Sequence, residues 1–194
     1  MSFNIYKGIE KKKDFRKKPL IFIDLETTGV DMEKHEITEI ACLVVDPKTL
    51  KIKKRFERKI MPENLELADP EALKLTEFSK KVWQKEAKPL EKVIKDLNKL
   101  APGGMFIGWN TSFDRPFLEK VIREKKMELN YDYHWLDVSS LVYEEFFSDK
   151  KPKKLKLTAA CKVLGVPRGK AHTAMADVKA TLEVYRHLRK RKNV

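Results

Sequence analysis

Cysteines, internal repeats and long apolar runs are scarce or missing in this chain, and each absence excludes a class of protein. Only Cys42 and Cys161 are present, each isolated inside an apolar pattern, so we expect buried thiols in a reducing compartment and no disulfide framework. No repeat, low-complexity block or linker interrupts the chain, which favours a single domain. No apolar run is long enough to span a bilayer, and the amino terminus lacks an apolar signal region. We therefore expect a soluble, cytoplasmic protein without a membrane partner.

Positive charge is what the chain has in excess. It holds 42 Lys and Arg against 29 Asp and Glu, a formal charge of +13. This excess favours an anionic partner, nucleic acid above all, although a solvated lysine-rich surface is the alternative. Basic residues concentrate in 1–18, which we expect to be an arm, in the loop 150–156 and in the end 191–194. The single domain is then predicted to cover 19–190.

Apolar periodicity predicts a mixed five-stranded sheet flanked by helices, an α/β fold. Continuous or alternating apolar residues predict strands at 20–23, 36–46, 50–60, 105–108 and 133–138. The first three are joined by short connections and should form an antiparallel meander. Helical spacing predicts helices around 93–100, 113–122, 139–147, 157–164 and 178–188.

Two carboxylates end the first strand. Asp24 and Glu26 are two residues apart, so on a strand both side chains leave the same face. They do so at the carboxyl end, where open α/β sheets bind ligands. Two like charges this close to an apolar strand repel each other unless cations lie between them, which makes the pair a candidate metal site.

Three more polar residues follow predicted elements. Asp114 lies in the first turn of a helix just after the strand 105–108, where it either faces the same edge or simply favours the helix amino terminus. His172 lies in a loop and Asp177 on the first turns of the last helix. For His172 the alternative to a functional role is a loop histidine whose hydrogen bonds are made within the protein. For Asp177 it is an acid on the solvated face of the helix. Small residues at 174 and 176 would let that helix approach the sheet and direct Asp177 toward Asp24.

Local hydrogen bonds are expected around two turns. Asn110 should tie its turn together through side-chain to backbone hydrogen bonds, and Thr111 or Ser112 should cap the helix that follows. Asp137 comes after an apolar strand and before two serines. We interpret it as a helix-starting residue, with contact to a metal through water as the alternative.

Three motifs in fixed order resemble those of a known family. They are Asp24-Leu25-Glu26-Thr27-Thr28-Gly29, Gly108-Trp109-Asn110-Thr111-Ser112-Phe113-Asp114-Arg115-Pro116-Phe117-Leu118 and His172-Thr173-Ala174-Met175-Ala176-Asp177. The order Asp-x-Glu, Asn-x3-Asp, His-x4-Asp resembles the DEDDh group of DnaQ-like 3′→5′ exonucleases, which have a ribonuclease H-like fold. The similarity runs from about residue 20 to residue 188. Any one motif is weak, and the three together are a strong signal.

The resemblance implies roles for five residues. Asp24, Glu26, Asp114 and Asp177 would hold two Mg²⁺ or Mn²⁺ ions, for which carboxylate oxygens are suitable ligands. His172 would be the general base, since imidazole accepts a proton readily near neutral pH. The product would be a nucleoside 5′-monophosphate. A sister group has tyrosine in place of this histidine, and the sequence has no tyrosine at the matching position.

The resemblance also implies substrate contacts, which are assigned only because these residues occupy matching positions. Leu25 would pack against the last base, and Thr27 or the backbone beside Glu26 would meet the terminal 3′-hydroxyl. Arg168 and Lys170 precede the histidine loop and are candidates for phosphate contacts. The full set of predicted substrate-binding residues is Leu25, Thr27, Trp109, Asn110, Phe113 and Lys170. For Trp109 and Phe113 the alternative is a place in the core.

Three functions remain open, and DNA exonuclease is the first. It would trim single-stranded or frayed DNA ends, as in repair. Thr27-Thr28-Gly29 differs from the residues that usually follow the first acids of oligoribonucleases, so an exoribonuclease is the alternative. The third possibility is not an enzyme: a module of the same fold that binds nucleic acid without hydrolysing it. The chain ends soon after its last predicted helix, so we expect a free-standing enzyme, and no polymerase partner is indicated.

Overall fold

Five strands form one mixed sheet in the computed structural model, which describes residues 4–7, 14–169 and 173–191. The strands are β1 (Leu20–Thr27), β2 (Ile37–Val45), β3 (Ile52–Lys59), β4 (Met105–Gly108) and β5 (Trp135–Asp137). Their order across the sheet is β3-β2-β1-β4-β5. β1, β2 and β3 are antiparallel neighbours, whereas β4 and β5 run parallel to β1. The predicted fold, an antiparallel meander extended by two parallel strands, is confirmed.

Helices cover both faces of the sheet. The described residues form α1 (Pro70–Leu75), α2 (Lys80–Glu86), α3 (Leu90–Leu97), α4 (Thr111–Glu124), α5 (Val138–Phe146), α6 (Leu157–Leu164) and α7 (Ala174–Arg191). Side chains of α3 and α4 pack into one apolar cluster, and side chains of α5, α6 and α7 pack into a second cluster on the opposite face. No helix in the part of the chain that the structure describes is both long and apolar enough to cross a bilayer.

Alternation along β1 decides which face each residue of the opening motif serves. Ile21, Ile23 and Leu25 belong to the cluster with α3 and α4, whereas Leu20 and Phe22 belong to the cluster with α5 to α7. Asp24 and Glu26 share the parity of Leu20 and Phe22 and therefore point toward the α5 to α7 layer. Pairing of β1 with β4 ends at Phe22 and Ile107, so both carboxylates extend past it at the carboxyl edge.

The β3 strand is more exposed than its sequence pattern predicts. Within it only Phe56 is buried, and Ile52, which shares its parity, is 47% exposed. β3 is the edge strand of the sheet, and all four residues of its first half are exposed. The apolar alternation of this segment therefore predicts the strand correctly, but it does not predict which residues of the strand are buried.

The described parts of the predicted basic arm pack onto the domain. Ile5 and Tyr6 are buried, and the backbone of residues 5–7 exchanges hydrogen bonds with Leu129. The Tyr6 hydroxyl donates to Glu119 at 2.8 Å. Lys18 is buried in an ion pair with Asp132. This corrects the expectation of an arm over these residues, because two apolar side chains among many basic ones anchor the segment. The boundary at residue 19 stays a prediction, as does the basic end 191–194, of which only Arg191 is described.

Candidate active site

An open cleft of about 600 Å³ lies at the carboxyl edge of the sheet. Its lining brings together all four carboxylates predicted as metal ligands: Asp24, Glu26, Asp114 and Asp177. The remaining lining residues are Leu25, Trp109, Asn110, Phe113, Ser139, Leu155, Lys156, Leu157, Thr158 and Arg168. Residues from β1, α4, α6 and α7 thus converge, although they are distant in the sequence.

The two carboxylates of β1 are held in an environment that disfavours negative charge. Burial raises the pKa of Asp24 well above its usual value, and the charge of Asp114 raises this pKa further. Glu26 and Asp177 add to the same effect. Burial also raises the pKa of Glu26 to about 8, again with a contribution from Asp177. A positive charge in the cleft would offset both the cost of burying these negative charges and the repulsion between them.

Asp114 reaches the cleft because α4 begins very close to β1. Burial raises its pKa to about 7, while the Leu25 N–H, which donates to its Oδ1 at 3.0 Å, opposes that rise. Gly108 makes the close approach feasible. A Cβ at this position would lie 2.9 Å from Cγ2 of Thr111 and 3.3 Å from the carbonyl oxygen of Ile23. Any larger residue would therefore force the Thr111 side chain, at the start of α4, to shift.

Asp137, and not Asn110, organises the turn before α4. Its carboxylate accepts hydrogen bonds from the Asn110 N–H at 3.1 Å and the Thr111 N–H at 2.9 Å. The same carboxylate caps α5 by accepting from the Ser139 N–H at 2.8 Å. Asp137 is therefore the helix-starting residue that the sequence predicts. It also fastens a second helix, α4, to the end of β5.

The predicted caps of α4 are wrong. Asn110 itself is the N-cap residue, with φ at 61°, in the left-handed region, and its side chain makes no capping hydrogen bond. Its Oδ1 instead accepts from the hydroxyl of Ser112 at 2.8 Å. The Thr111 hydroxyl contacts Asp137 at 3.3 Å. The Asp137 carboxylate, at the end of β5, accepts hydrogen bonds from the backbone N–H groups at the start of α4. A side chain of α4 itself was expected to accept them.

Asp177 is paired with an arginine. One guanidinium nitrogen of Arg168 donates to both oxygens of the Asp177 carboxylate, at 2.7 and 2.9 Å. Both side chains are largely buried, and Nε of Arg168 has no hydrogen-bond partner among the described residues. Sequence reasoning placed Arg168 near phosphates but missed this ion pair. Only the fold could reveal it, because basic residues are too common in the chain for one of them to stand out.

The oxygen atoms of the four carboxylates are suitable ligands for a hard divalent cation, although they are not arranged around a common centre. Among residues 4–7, 14–169 and 173–191, no three Asp, Glu, His or Cys side chains are arranged to hold a metal ion. Two of the four carboxylates are engaged in other contacts. Asp177 is held by Arg168, and one oxygen of Asp114 is held by the Leu25 N–H. Four carboxylates, of which Asp114 is buried and the other three are partly buried, would still suit a magnesium-type ion if Asp177 turned from Arg168.

Four of the six predicted substrate-binding residues line the cleft. Leu25, Trp109, Asn110 and Phe113 line the cleft, and Trp109 and Phe113 also pack at the margins of the two apolar clusters. Thr27 is buried outside the cleft lining, and its hydroxyl donates to the carbonyl of Gly29 at 2.6 Å. His172 and Lys170 lie outside the described residues, so their predicted roles stay predictions.

Comparison with known proteins identifies the family. The family model described as Exonuclease, RNase T, matches residues 21–185. The chain belongs to this exonuclease family. Its curated relatives include the oligoribonuclease of Photorhabdus laumondii, 30% identical over 182 residues that cover 86% of this chain and 93% of the relative. The oligoribonuclease of Escherichia coli K12 is 29% identical over 180 residues, with the same two coverages.

Solved structures share the fold of this exonuclease. An exonuclease I structure superposes with a TM-score of 0.81 at 18% identity, covering 91% of this chain and 42% of that one. Exonuclease I from Methylocaldum szegediense gives a TM-score of 0.75 at 20% identity, covering 91% and 41%. The chain thus spans well under half the length of these neighbours, which show the fold alone. Together with the family match, they confirm the resemblance to DnaQ-like 3′→5′ exonucleases and the ribonuclease H-like fold.

Proposed function

We propose that this exonuclease removes nucleoside 5′-monophosphates from the 3′ ends of single-stranded or frayed DNA, using two divalent cations. The observation that carries the proposal is the gathering of Asp24, Glu26, Asp114 and Asp177 in one open cleft at the carboxyl edge of the sheet. Exonucleases of this family typically use divalent metal ions. The raised pKa values of three of these four carboxylates support the need for cations there.

The four carboxylates would hold Mg²⁺ or Mn²⁺, with Asp24 on the central strand as the shared ligand. When bound, two such ions stabilise the attacking and leaving oxygens of a phosphodiester. The protein's own contribution is to hold the substrate and move a proton. Leu25, which lines the cleft, would pack against the terminal base, and Trp109 and Phe113 would face a base. His172 accepts the proton of the attacking water.

RNA is the second candidate substrate. It is favoured by the curated relatives, which are oligoribonucleases at close to 30% identity over most of their length. DNA rests on the run Thr27-Thr28-Gly29 after the first acids. A ribose would bring one further hydroxyl to the cleft, and the two sugars are therefore separable by rate.

The test is hydrolysis of matched DNA and RNA strands that carry a 5′ label, with Mg²⁺ present. The proposal expects a ladder that shortens from the 3′ end, with faster shortening of DNA. A faster RNA ladder establishes the second candidate. No shortening, or internal fragments, would overturn exonuclease function for this chain. Asp24→Ala should abolish the ladder, and Asp96→Ala, an acid on α3 away from the cleft, should not alter it.

A further inference from the structure

Exposed aromatic and basic residues continue from the active cleft along α5 and the loop that follows it. Tyr143 is 55% exposed and Phe147 is 69% exposed, and their ring centroids are 5.5 Å apart in an edge-to-face arrangement. Two large aromatic rings held side by side on the outside of a helix gain little from the core. Such neighbours are more typical of a binding surface than of a monomer's solvated face.

A groove beside these rings adjoins the cleft. Its volume is about 360 Å³, and its walls include Tyr143, Phe147, Pro152, Lys153 and Leu155. Leu155 lines both this groove and the active cleft. Lys156 and Thr158 carry the same wall onward to the carboxylates. A ligand that extends from the cleft past Leu155 would therefore meet the groove beside the two rings.

The loop between α5 and α6 supplies positive charge along this path. All five of its lysines are exposed, and within the described chain none of them forms an ion pair: Lys150, Lys151, Lys153, Lys154 and Lys156. Acids are fewer here. Asp149 borders the groove, Glu144 is exposed, and Glu145 is paired with Arg191 at 3.3 Å. The net charge beside the rings is positive and suits an anionic ligand.

We propose that Tyr143, Phe147 and the lysines of 150–156, here called the α5 surface, bind the single strand upstream of the 3′ end. Bases would stack on Tyr143 and Phe147, and the phosphates between them would contact the lysines. Aromatic platforms beside lysines bind single strands of any sequence, because every base has a flat face. This inference rests on the proposed function, which places the 3′ end in the cleft.

The length of α5 sets how long a strand must be to reach the rings. The helix has nine residues and begins beside the cleft at Asp137. At about 1.5 Å per residue it extends about 14 Å, which is roughly four nucleotides if the bases keep the spacing of about 3.4 Å that they have in each strand of a duplex. Strands of two or three nucleotides would occupy the cleft alone. Strands of six or more would also cover the α5 surface.

The first test compares kinetics on a trinucleotide and a twelve-nucleotide strand. The double variant Tyr143→Ala, Phe147→Ala should raise KM for the long strand by on the order of tenfold, leave its kcat unchanged, and leave the trinucleotide unaffected. Both residues are exposed, Tyr143 on α5 and Phe147 at its C-cap, so the fold should persist. Phe15→Ala, an exposed aromatic near the opposite edge of the sheet, is the matched control. Equal losses on both substrates, or no loss on either, contradict the proposal.

The second test measures binding without hydrolysis. A fluorescein-labelled twelve-nucleotide strand is titrated in EDTA at several salt concentrations. Lys153→Ala with Lys154→Ala should weaken binding and reduce the slope of log K against log salt by about 1.4, since each phosphate contact to a single strand contributes about 0.7. The control is Lys81→Ala with Lys85→Ala on α2.

The two tests separate this inference from the proposed function. If the wild type hydrolyses neither substrate, the proposed function fails, while the binding test still decides whether the α5 surface holds a strand. If hydrolysis proceeds but neither set of variants changes binding of the long strand, the α5 surface does not bind nucleic acid. An acidic protein partner for the same lysines is then the occupant to examine.

Discussion

Arg168 holds Asp177 through two hydrogen bonds from one nitrogen, at 2.7 and 2.9 Å. The guanidinium thus provides the positive charge that a metal ion would provide to the same carboxylate. Because both side chains are largely buried, water screens the pair little. A cation bound by Asp177 must compete with Arg168, and the arginine that is released would be free to contact the substrate's phosphate.

Replacing Arg168 by glutamine should therefore have opposite effects on stability and on metal affinity. Without metal, Asp177 would remain as a buried charge without a partner, at a loss of about 2 kcal/mol, or a fall in Tm of roughly 4 to 8 °C. Calorimetric titration should show tighter Mg²⁺ binding than in the wild type. Arg115→Gln, which removes an ion pair with Glu119 on α4, is the matched control. Weaker Mg²⁺ binding by the Arg168 variant would show that the arginine supports the metal site.

His172→Ala should lower kcat by about two to four orders of magnitude, as loss of a general base does. KM for the strand should change little, because the imidazole acts on the attacking water and not on the bases. Single-turnover hydrolysis of the 5′-labelled strand measures the chemical step directly. His187→Ala, on α7, should retain the wild-type rate. A His172 variant with more than a tenth of that rate would remove this histidine from the mechanism.

Asp137→Ala should destabilise the fold by about 2 to 3 kcal/mol, since it removes the side-chain partner of two helix starts at once. Urea unfolding at neutral pH measures the change. Asn110→Gly makes the matching comparison, because glycine adopts the left-handed backbone of this position readily and no capping bond is lost. A smaller loss for Asp137→Ala than for Asn110→Gly would contradict the assignment of Asp137 as the shared cap.

The Lys18–Asp132 pair should make stability depend on pH in the acid range. Burial opposes ionisation of Asp132, but hydrogen bonds from Lys18 and from the backbone and imidazole of His134 together lower its pKa. A carboxyl with a lowered folded pKa contributes stability above its unfolded pKa, about 3.9. That contribution disappears as the pH falls through the lower folded pKa.

Asp132→Asn should therefore be about 3 kcal/mol less stable than the wild type at pH 7, because Lys18 stays buried without its counter-charge. The difference should shrink steadily below about pH 4. Urea unfolding across this range tests both statements. Asp14→Asn, which alters an exposed pair with Arg16, should change the pH profile of stability much less, because water screens this pair. A difference for Asp132→Asn that is constant with pH would show that the carboxylate's charge is not what stabilises Lys18.

Periodicity in the sequence was enough to predict the sheet and the shared face of Asp24 and Glu26, which follows from strand alternation. For Asp114 and Asp177 it left alternatives open, and the order of the three motifs was needed to place them with Asp24 and Glu26, as the cleft lining does. Their roles as ligands remain predictions that metal binding must test.

Contacts between distant segments were beyond sequence reasoning. The cap of α4 comes from Asp137, 27 residues from Asn110, whereas a local pattern pointed to Thr111 or Ser112. Burial of Ile5 was hidden among basic neighbours, because a single apolar residue has no periodicity. Thr27 appeared available for substrate, but the turn that follows β1 brings the Gly29 carbonyl to its hydroxyl.

The exposed β3 strand has a consequence for the behaviour of the chain in concentrated solution. Within the described sheet, β3 pairs with no strand other than β2. Apart from the Lys59 carbonyl, which accepts from the Lys88 N–H at 2.9 Å, its outer row of backbone groups is available to the edge of another molecule. Five of its eight residues are basic: Lys53, Lys54, Arg55, Arg58 and Lys59. Two such edges repel each other when they approach. The charge that attracts an anionic substrate elsewhere on the protein thus protects this edge against intermolecular β-pairing and aggregation.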